Sequence, residues 1–203
     1  MIGILDYGMG NVRSVQKAIE FLGGQAVITS DMGALDRCER LILPGVGSFA
    51  AGMENLQKPG LDAYIKARLE NTPVLGICLG MQFLLSESEE EGVHAGLGVI
   101  PGRAVRFTQG KIPHMGWNGV EGMRSPLFEG IAEGTQFYFV HSYYAQAGDK
   151  DVIGTTEYHC RFASAIARGN AYGVQFHPEK SGAAGLQVLR NFMRLNAAKG
   201  GAV

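Results

Sequence analysis

Cysteine is scarce. Three stand in 203 residues, at 38, 78 and 160. The number is odd, the spacing wide and no C-x-x-C pair occurs, which argues against a disulfide framework or a structural zinc site. Charge of neither sign dominates. The formal net charge is −1 and the isoelectric point about 6.5, so nothing steers the chain toward nucleic acid or an anionic lipid surface. Long apolar runs are missing too. The longest stretch without Asp, Glu, Lys or Arg covers 71–86 and is broken by Pro73, Gly76 and Gly80, so it is no membrane span. The chain opens directly on Ile2-Gly3-Ile4-Leu5, a strand-like run and not a secretory signal. Repeats, low-complexity tracts and linkers are absent. The expected setting is a reducing one, the cytoplasm, and the expected organisation a single domain over 1–203.

What is present is an alternation of short apolar strands and helices. Strands are predicted at 2–5, 26–29, 41–43 and 74–77, and helices at 11–22, 61–69 and 79–85. Val12, Val15, Ile19 and Leu22 mark one face of the first helix, and Gly23-Gly24 stops it. Such alternation implies parallel pairing, an α/β fold with a mostly parallel sheet flanked by helices. From Leu97 onward strand-like pieces crowd together at 104–108, 137–141, 152–156, 164–167 and 172–176, reading as added antiparallel strands in the C-terminal half. Ser181 stands where it can cap a last helix whose inward face is Leu186, Leu189, Phe192 and Met193.

The segment Gly76-Ile77-Cys78-Leu79-Gly80 stands out. It follows an apolar strand and opens a helix, the G-x-nucleophile-x-G elbow with Cys as nucleophile. Glycine at −2 and +2 relieves the crowding of such a corner. The helix behind it points backbone N–H groups and the positive end of its dipole at the sulfur, which favours the attacking anion.

A Cys nucleophile needs a base, an orienting group and an oxyanion hole. Of His94, His114, His141, His159 and His177, the last is best placed, at the end of Tyr172-Gly173-Val174-Gln175-Phe176. Pro178 keeps His177 extended, and in extended chain Glu179 points the same way and can fix its tautomer. The N–H of Leu79 and one from the loop Pro44-Gly45-Val46-Gly47 are the candidate oxyanion donors. These parts support acyl transfer through a thioester. One competing motif carries little weight: Gly8-Met9-Gly10 with Asp31 mimics a dinucleotide fingerprint, but its third position is the bulky Arg13.

Gly-Ile-Cys-Leu-Gly-Met-Gln at 76–82, Pro-Gly-Val-Gly at 44–47 and Gly-Val-Gln-Phe-His-Pro-Glu-Lys-Ser at 173–181 resemble the triad-type, class I glutamine amidotransferases. Asp6-Tyr7-Gly8-Met9-Gly10-Asn11, Pro113-His114-Met115-Gly116-Trp117-Asn118 and Phe139-Val140-His141-Ser142-Tyr143 are similar to one branch of them. That branch is the glutaminase subunits of imidazole glycerol phosphate synthase, in histidine biosynthesis. The resemblance implies a flavodoxin-like fold, no cofactor and no metal. It implies that Cys78 attacks the side-chain amide of glutamine, with His177 and Glu179 completing the triad and Gly45, Val46, Gly47 and Leu79 forming the oxyanion hole. It further implies that Gln82 and Glu90, one and three helical turns past Cys78, together with Ser142 and Tyr143, hold the amino-acid end of glutamine. Glu91 is the alternative to Glu90, because both lie in one acidic run.

Ammonia released in water is protonated and lost, and no second active site is legible in this chain. The resemblance supplies a partner: a (β/α)8-barrel cyclase that forms a heterodimer with the glutaminase and receives the ammonia. Asn11, Trp117 and Lys180 resemble its interface residues. Rival readings are another amidotransferase of the same fold, or a Cys hydrolase acting alone on γ-glutamyl compounds.

Overall fold

The computed structural model describes residues 1–198. The first half alternates strand and helix, with one helix pair between β3 and β4: β1 (Ile2–Leu5), α1 (Val12–Phe21), β2 (Ala26–Thr29), α2 (Met32–Asp36), β3 (Arg40–Gly45), α3 (Phe49–Gln57), α4 (Leu61–Arg68), β4 (Val74–Cys78) and α5 (Leu79–Phe83). Strands then dominate: β5 (Leu85–Ser88), β6 (His94–Ala95), β7 (Ile100–Arg106), β8 (His114–Gly119), β9 (Gln136–His141), β10 (Tyr143–Ala147), β11 (Val152–Tyr158), β12 (Cys160–Arg168) and β13 (Ala171–Val174), before the closing α6 (Gly182–Phe192).

One large sheet runs β2-β1-β3-β4-β13-β12-β10-β7-β5-β6, with β11 attached to β12. Its first five strands are parallel. Along β3, Leu41 and Leu43 enter one core while Ile42 enters the other, as the two-residue period of a doubly covered strand demands. Helices α1 and α6 cover the Ile42 face through Val15, Ile19, Val188, Leu189 and Phe192. Helices α2 to α5 cover the opposite face through Leu35, Phe49, Leu56, Ile65 and Phe83. Strands β8 and β9 form a separate antiparallel pair, in register at His114 and His141.

The expected α/β class holds, with three local differences. The helix predicted over 79–85 ends at Phe83, because buried Leu85 pairs with Ile100 in the sheet. The stretch 172–176 belongs to more than the antiparallel addition: β13 inserts beside β4, parallel to it, and meets β12 antiparallel on its other edge. Ser181 precedes α6 but makes no capping bond to it. Its hydroxyl instead donates to the His177 carbonyl at 2.6 Å and accepts from the Tyr138 N–H at 2.9 Å.

Candidate active site

Three neighbouring strands end together. In register, Gly45 of β3 lies opposite Cys78 of β4, and Val174 of β13 lies opposite Ile77. The carboxyl ends of parallel strands are where α/β folds gather ligands. Here they bring the Pro44–Gly47 loop, Cys78 and His177 to one place.

Cys78 has φ 56 and ψ −111, a left-handed φ that is costly for a residue with a side chain. The flanking glycines show what permits it. A Cβ on Gly80 would overlap the Leu43 carbonyl, and one on Gly76 would overlap the Gly80 carbonyl. With both Cβ atoms missing, β4 turns straight into α5 and closes on β3. Leu79 becomes the first residue of α5, so its N–H is among those left without an intrahelical partner. Tyr7 fixes the neighbouring loop: its buried hydroxyl donates to the Pro44 carbonyl at 2.5 Å.

His177 and Glu179 form the second half. Nδ1 of His177 lies 2.9 Å from Oε1 of Glu179, with both side chains almost fully buried. The carboxylate accepts, so Nδ1 keeps a proton and Nε2 is the nitrogen left to exchange one. Nε2 is buried without a hydrogen-bond partner among the described residues. His177 is extended as expected, at φ −98 and ψ 97. Glu179 reaches it differently from the extended-chain expectation: Pro178–Lys180 forms a 3-10 turn, for which proline is pre-shaped at the first position. Burial pulls the His177 pKa down, but the Cys78 sulfur and the Glu179 carboxylate outweigh it and raise the value to about 9. A cation beside the sulfur is the counter-charge that a thiolate needs.

A cavity of about 360 Å³ opens in front of the sulfur, at the small end of the range for small-molecule sites. Val46, Gly47 and Leu79 line one side, Val140 to Tyr143 another, and Gln82, Glu90, His177 and Lys180 close the rest. Gly45 is not in this lining; it packs behind it, against α5. Gln82 is buried and donates through Nε2 to the Tyr143 carbonyl and to Gln175 Oε1, each at 3.1 Å. That leaves the Gln82 carbonyl oxygen as the group free for a ligand.

Glu90 does not lie on the helix of Cys78, which ended at Phe83. It sits in the turn after β5, where its carboxylate accepts from the Phe49 N–H at 2.5 Å and so caps α3. Glu91 adopts a positive φ of 54 and is exposed, which leaves Glu90 as the acid facing the cavity. Ser142 and Tyr143 line the cavity, and the Tyr143 carbonyl is committed inward. Lys180 is exposed at the rim, and Trp117 is 54% exposed on β8. Asn11 is only half-buried, and its Nδ2 lies 3.5 Å from Glu179 Oε1, so it touches the triad as well as the surface. Asp31, the ribose ligand of the dinucleotide reading, caps α2 by accepting from the Ala34 N–H.

Sequence reasoning missed Gln175, Tyr7 and His141. Gln175 left a trace as the one polar side chain between Val174 and Phe176, and it is wholly buried. The sequence offers His141 only as a candidate base. It lines the cavity but points its Nδ1 at the Tyr143 carbonyl, at 2.8 Å.

Two solved structures share the fold. A crystal structure of a glutamine amidotransferase aligns with a TM-score of 0.75 at 21% identity, over 95% of this chain and 96% of that one. The PurLQS structure from Thermotoga maritima aligns with a TM-score of 0.76 at 20% identity, over the same shares. Sequence relatives are nearer. The imidazole glycerol phosphate synthase subunit HisH of Moorella thermoacetica is 54% identical over 96% of this chain and 94% of its own length. That of Methanocaldococcus jannaschii is 48% identical over 96% of this chain and all of its own. The class-I glutamine amidotransferase family profile matches residues 4–195. An elbow cysteine, a histidine–carboxylate pair and these relatives agree: the chain belongs to the class-I glutamine amidotransferases, as a HisH-type glutaminase subunit of imidazole glycerol phosphate synthase.

Proposed function

We propose that this chain hydrolyses glutamine through a thioester on Cys78 and passes the ammonia to a (β/α)8-barrel cyclase. In that partner the ammonia yields imidazole glycerol phosphate and an aminoimidazole carboxamide ribotide, a step of histidine biosynthesis. The observation that carries the reading is the meeting of Cys78, His177 and Glu179 at adjoining strand ends, in front of a cavity of about 360 Å³ that Glu90 and Gln82 also line.

The steps follow from the groups in place. The Cys78 sulfur attacks the glutamine carboxamide carbon, and the carbonyl oxygen gains charge. The N–H of Leu79 and one from the Gly45–Gly47 loop hold that oxyanion. Imidazolium His177 gives its proton to the departing nitrogen, and ammonia leaves. His177 then takes a proton from water, which attacks the thioester; glutamate departs and the sulfur is regenerated. Glu179 keeps Nδ1–H in place throughout. At the other end of the substrate, Glu90 is suited to the α-ammonium, with Gln82, Ser142 and Tyr143 beside it. A peptide in the glycine-flanked loop 44–47 flips to complete the oxyanion hole.

Delivery gives the exposed apolar side chains a role. Met115, Trp117 and Val46 are large exposed apolar side chains, and Val46 and Lys180 border the cavity itself. Trp117 serves as a rigid anchor for the partner, Lys180 as a contact for a partner carboxylate, and Asn11 as a link from that surface to Glu179. We read the chain as one domain working in the cytoplasm.

The test is ammonia and glutamate release by the isolated chain, with and without a barrel cyclase and its nucleotide. Release is expected to rise strongly with both present and to vanish in Cys78→Ser. High turnover by the isolated chain favours the stand-alone hydrolase, and normal release by Cys78→Ser removes the nucleophile.

A further inference from the structure

The sulfur has neighbours beyond the triad. Gln175 Nε2 donates to Cys78 Sγ at 3.6 Å, and Sγ itself lies 3.9 Å from the Val140 carbonyl. Gln175 is fully buried, one residue past β13 and two before His177. A primary amide fits its site in either of two orientations, and the surroundings select one. The Tyr143 carbonyl can only accept, so the group Gln82 turns toward it at 3.1 Å is its NH2. The same nitrogen then donates to Gln175 at 3.1 Å, which must present its oxygen there. That leaves the Gln175 NH2 facing the sulfur.

The Tyr143 carbonyl fixes a second chain of donors. His141 Nδ1 donates to it at 2.8 Å, His141 Nε2 accepts from His114 Nδ1 at 2.9 Å, and His114 Nε2 accepts from Asn118 Nδ2 at 3.2 Å. Each ring is buried, and burial lowers His114 to about 4 and His141 to about 3. The whole array is therefore neutral at pH 7. It orients a donor at the sulfur without adding a charge that would compete with His177.

We propose that Gln175 is a positioning residue for the nucleophile, its amide N–H locked toward Sγ by Gln82 and the Tyr143 carbonyl so that it holds the sulfur at the corner and stabilises negative charge on it. An N–H bond to an anion is about twice as strong as one to a neutral acceptor, so this contact favours the thiolate over the thiol. The inference rests on Cys78 being the nucleophile, and the experiment separates the two.

The measurement is alkylation of the full chain by iodoacetamide, without glutamine or partner, followed peptide by peptide by mass spectrometry. Cys160, half-buried and remote in sequence, serves as internal reference. Gln175→Met keeps bulk and removes the donor. Its Cys78 alkylation at pH 7 is expected to fall about tenfold, the loss of one hydrogen bond to a charged group, and its pH–rate profile to move to higher pH, while Cys160 is unchanged. Gln175→Glu retains shape and the acceptor for Gln82 but faces the sulfur with a carboxylate oxygen. It should lose more, and it carries the test if the Met variant fails to fold. An unchanged Cys78 rate and profile in a folded Gln175 variant overturns this inference alone. A parent Cys78 no faster than Cys160 overturns the nucleophile reading, and this inference with it.

Discussion

His177 holds a proton that burial alone would strip from it. Its ring is as hidden as that of His141, yet one is raised to about 9 and the other lowered to about 3. The difference is what each ring faces. His177 has a carboxylate at 2.9 Å and the Cys78 sulfur nearby, whereas His141 meets a backbone carbonyl and a second imidazole. A neutral amide at 179 removes the charge and keeps the shape. Its oxygen can still accept from Nδ1–H, so Glu179→Gln should fold normally. Glutaminase turnover should drop by up to about 10⁴-fold, the loss that follows when a triad carboxylate becomes an amide. Steady-state ammonia release checks this. Unchanged kinetics would make Glu179 a structural neighbour only.

At the level of elements, the site depends on β13 sliding in between β4 and β12. Cys78 and His177 stand almost a hundred residues apart, and parallel pairing alone makes them neighbours. The elbow was legible because it is local: an apolar strand, two glycines at fixed spacing and a helix. The α/β alternation was legible for the same reason. Sheet order was not, because β13 looks like its antiparallel predecessors until one knows its partner. Glu90 is three helical turns past Cys78 by count, but sheet pairing at Leu85 ends that helix first. Gln175 is silent in the sequence because its contacts need Gln82 and Tyr143, which lie 93 and 32 positions away. Ser181 stands where serine commonly caps a helix, but its hydroxyl ties β9 to the His177 backbone. That gives a prediction for the element. Ser181→Ala strands the Tyr138 N–H and loosens the turn that carries the base. The cost should be about 2 kcal/mol, or a fall in Tm of roughly 4–8 °C for a chain of this size. Calorimetry decides it, and an unchanged Tm would return Ser181 to a passive role.

The whole molecule inherits a pH dependence from these buried rings. His114 and His141 are neutral in the fold and are lowered to about 4 and about 3, while in the unfolded chain each titrates near 6.5. Below pH 6.5 the unfolded state therefore binds protons that the folded state refuses, and stability falls as acid is added. With both rings fully charged in the unfolded chain, the slope approaches about 2.7 kcal/mol per pH unit. His177 acts with the opposite sign. Its folded value is raised to about 9, so its stabilisation is complete below pH 6.5 and is lost as pH climbs toward 9, at up to about 1.4 kcal/mol per unit. The fold should thus be most stable near pH 6.5. Urea midpoints measured between pH 5 and pH 9 are expected to form a dome with its steeper limb on the acid side. His177→Asn should flatten the alkaline limb and leave the acid limb standing, because the other two rings lie on different strands and keep their partners. A flat profile in the parent from pH 5 to 8 would mean that these rings meet water more freely than their packing implies.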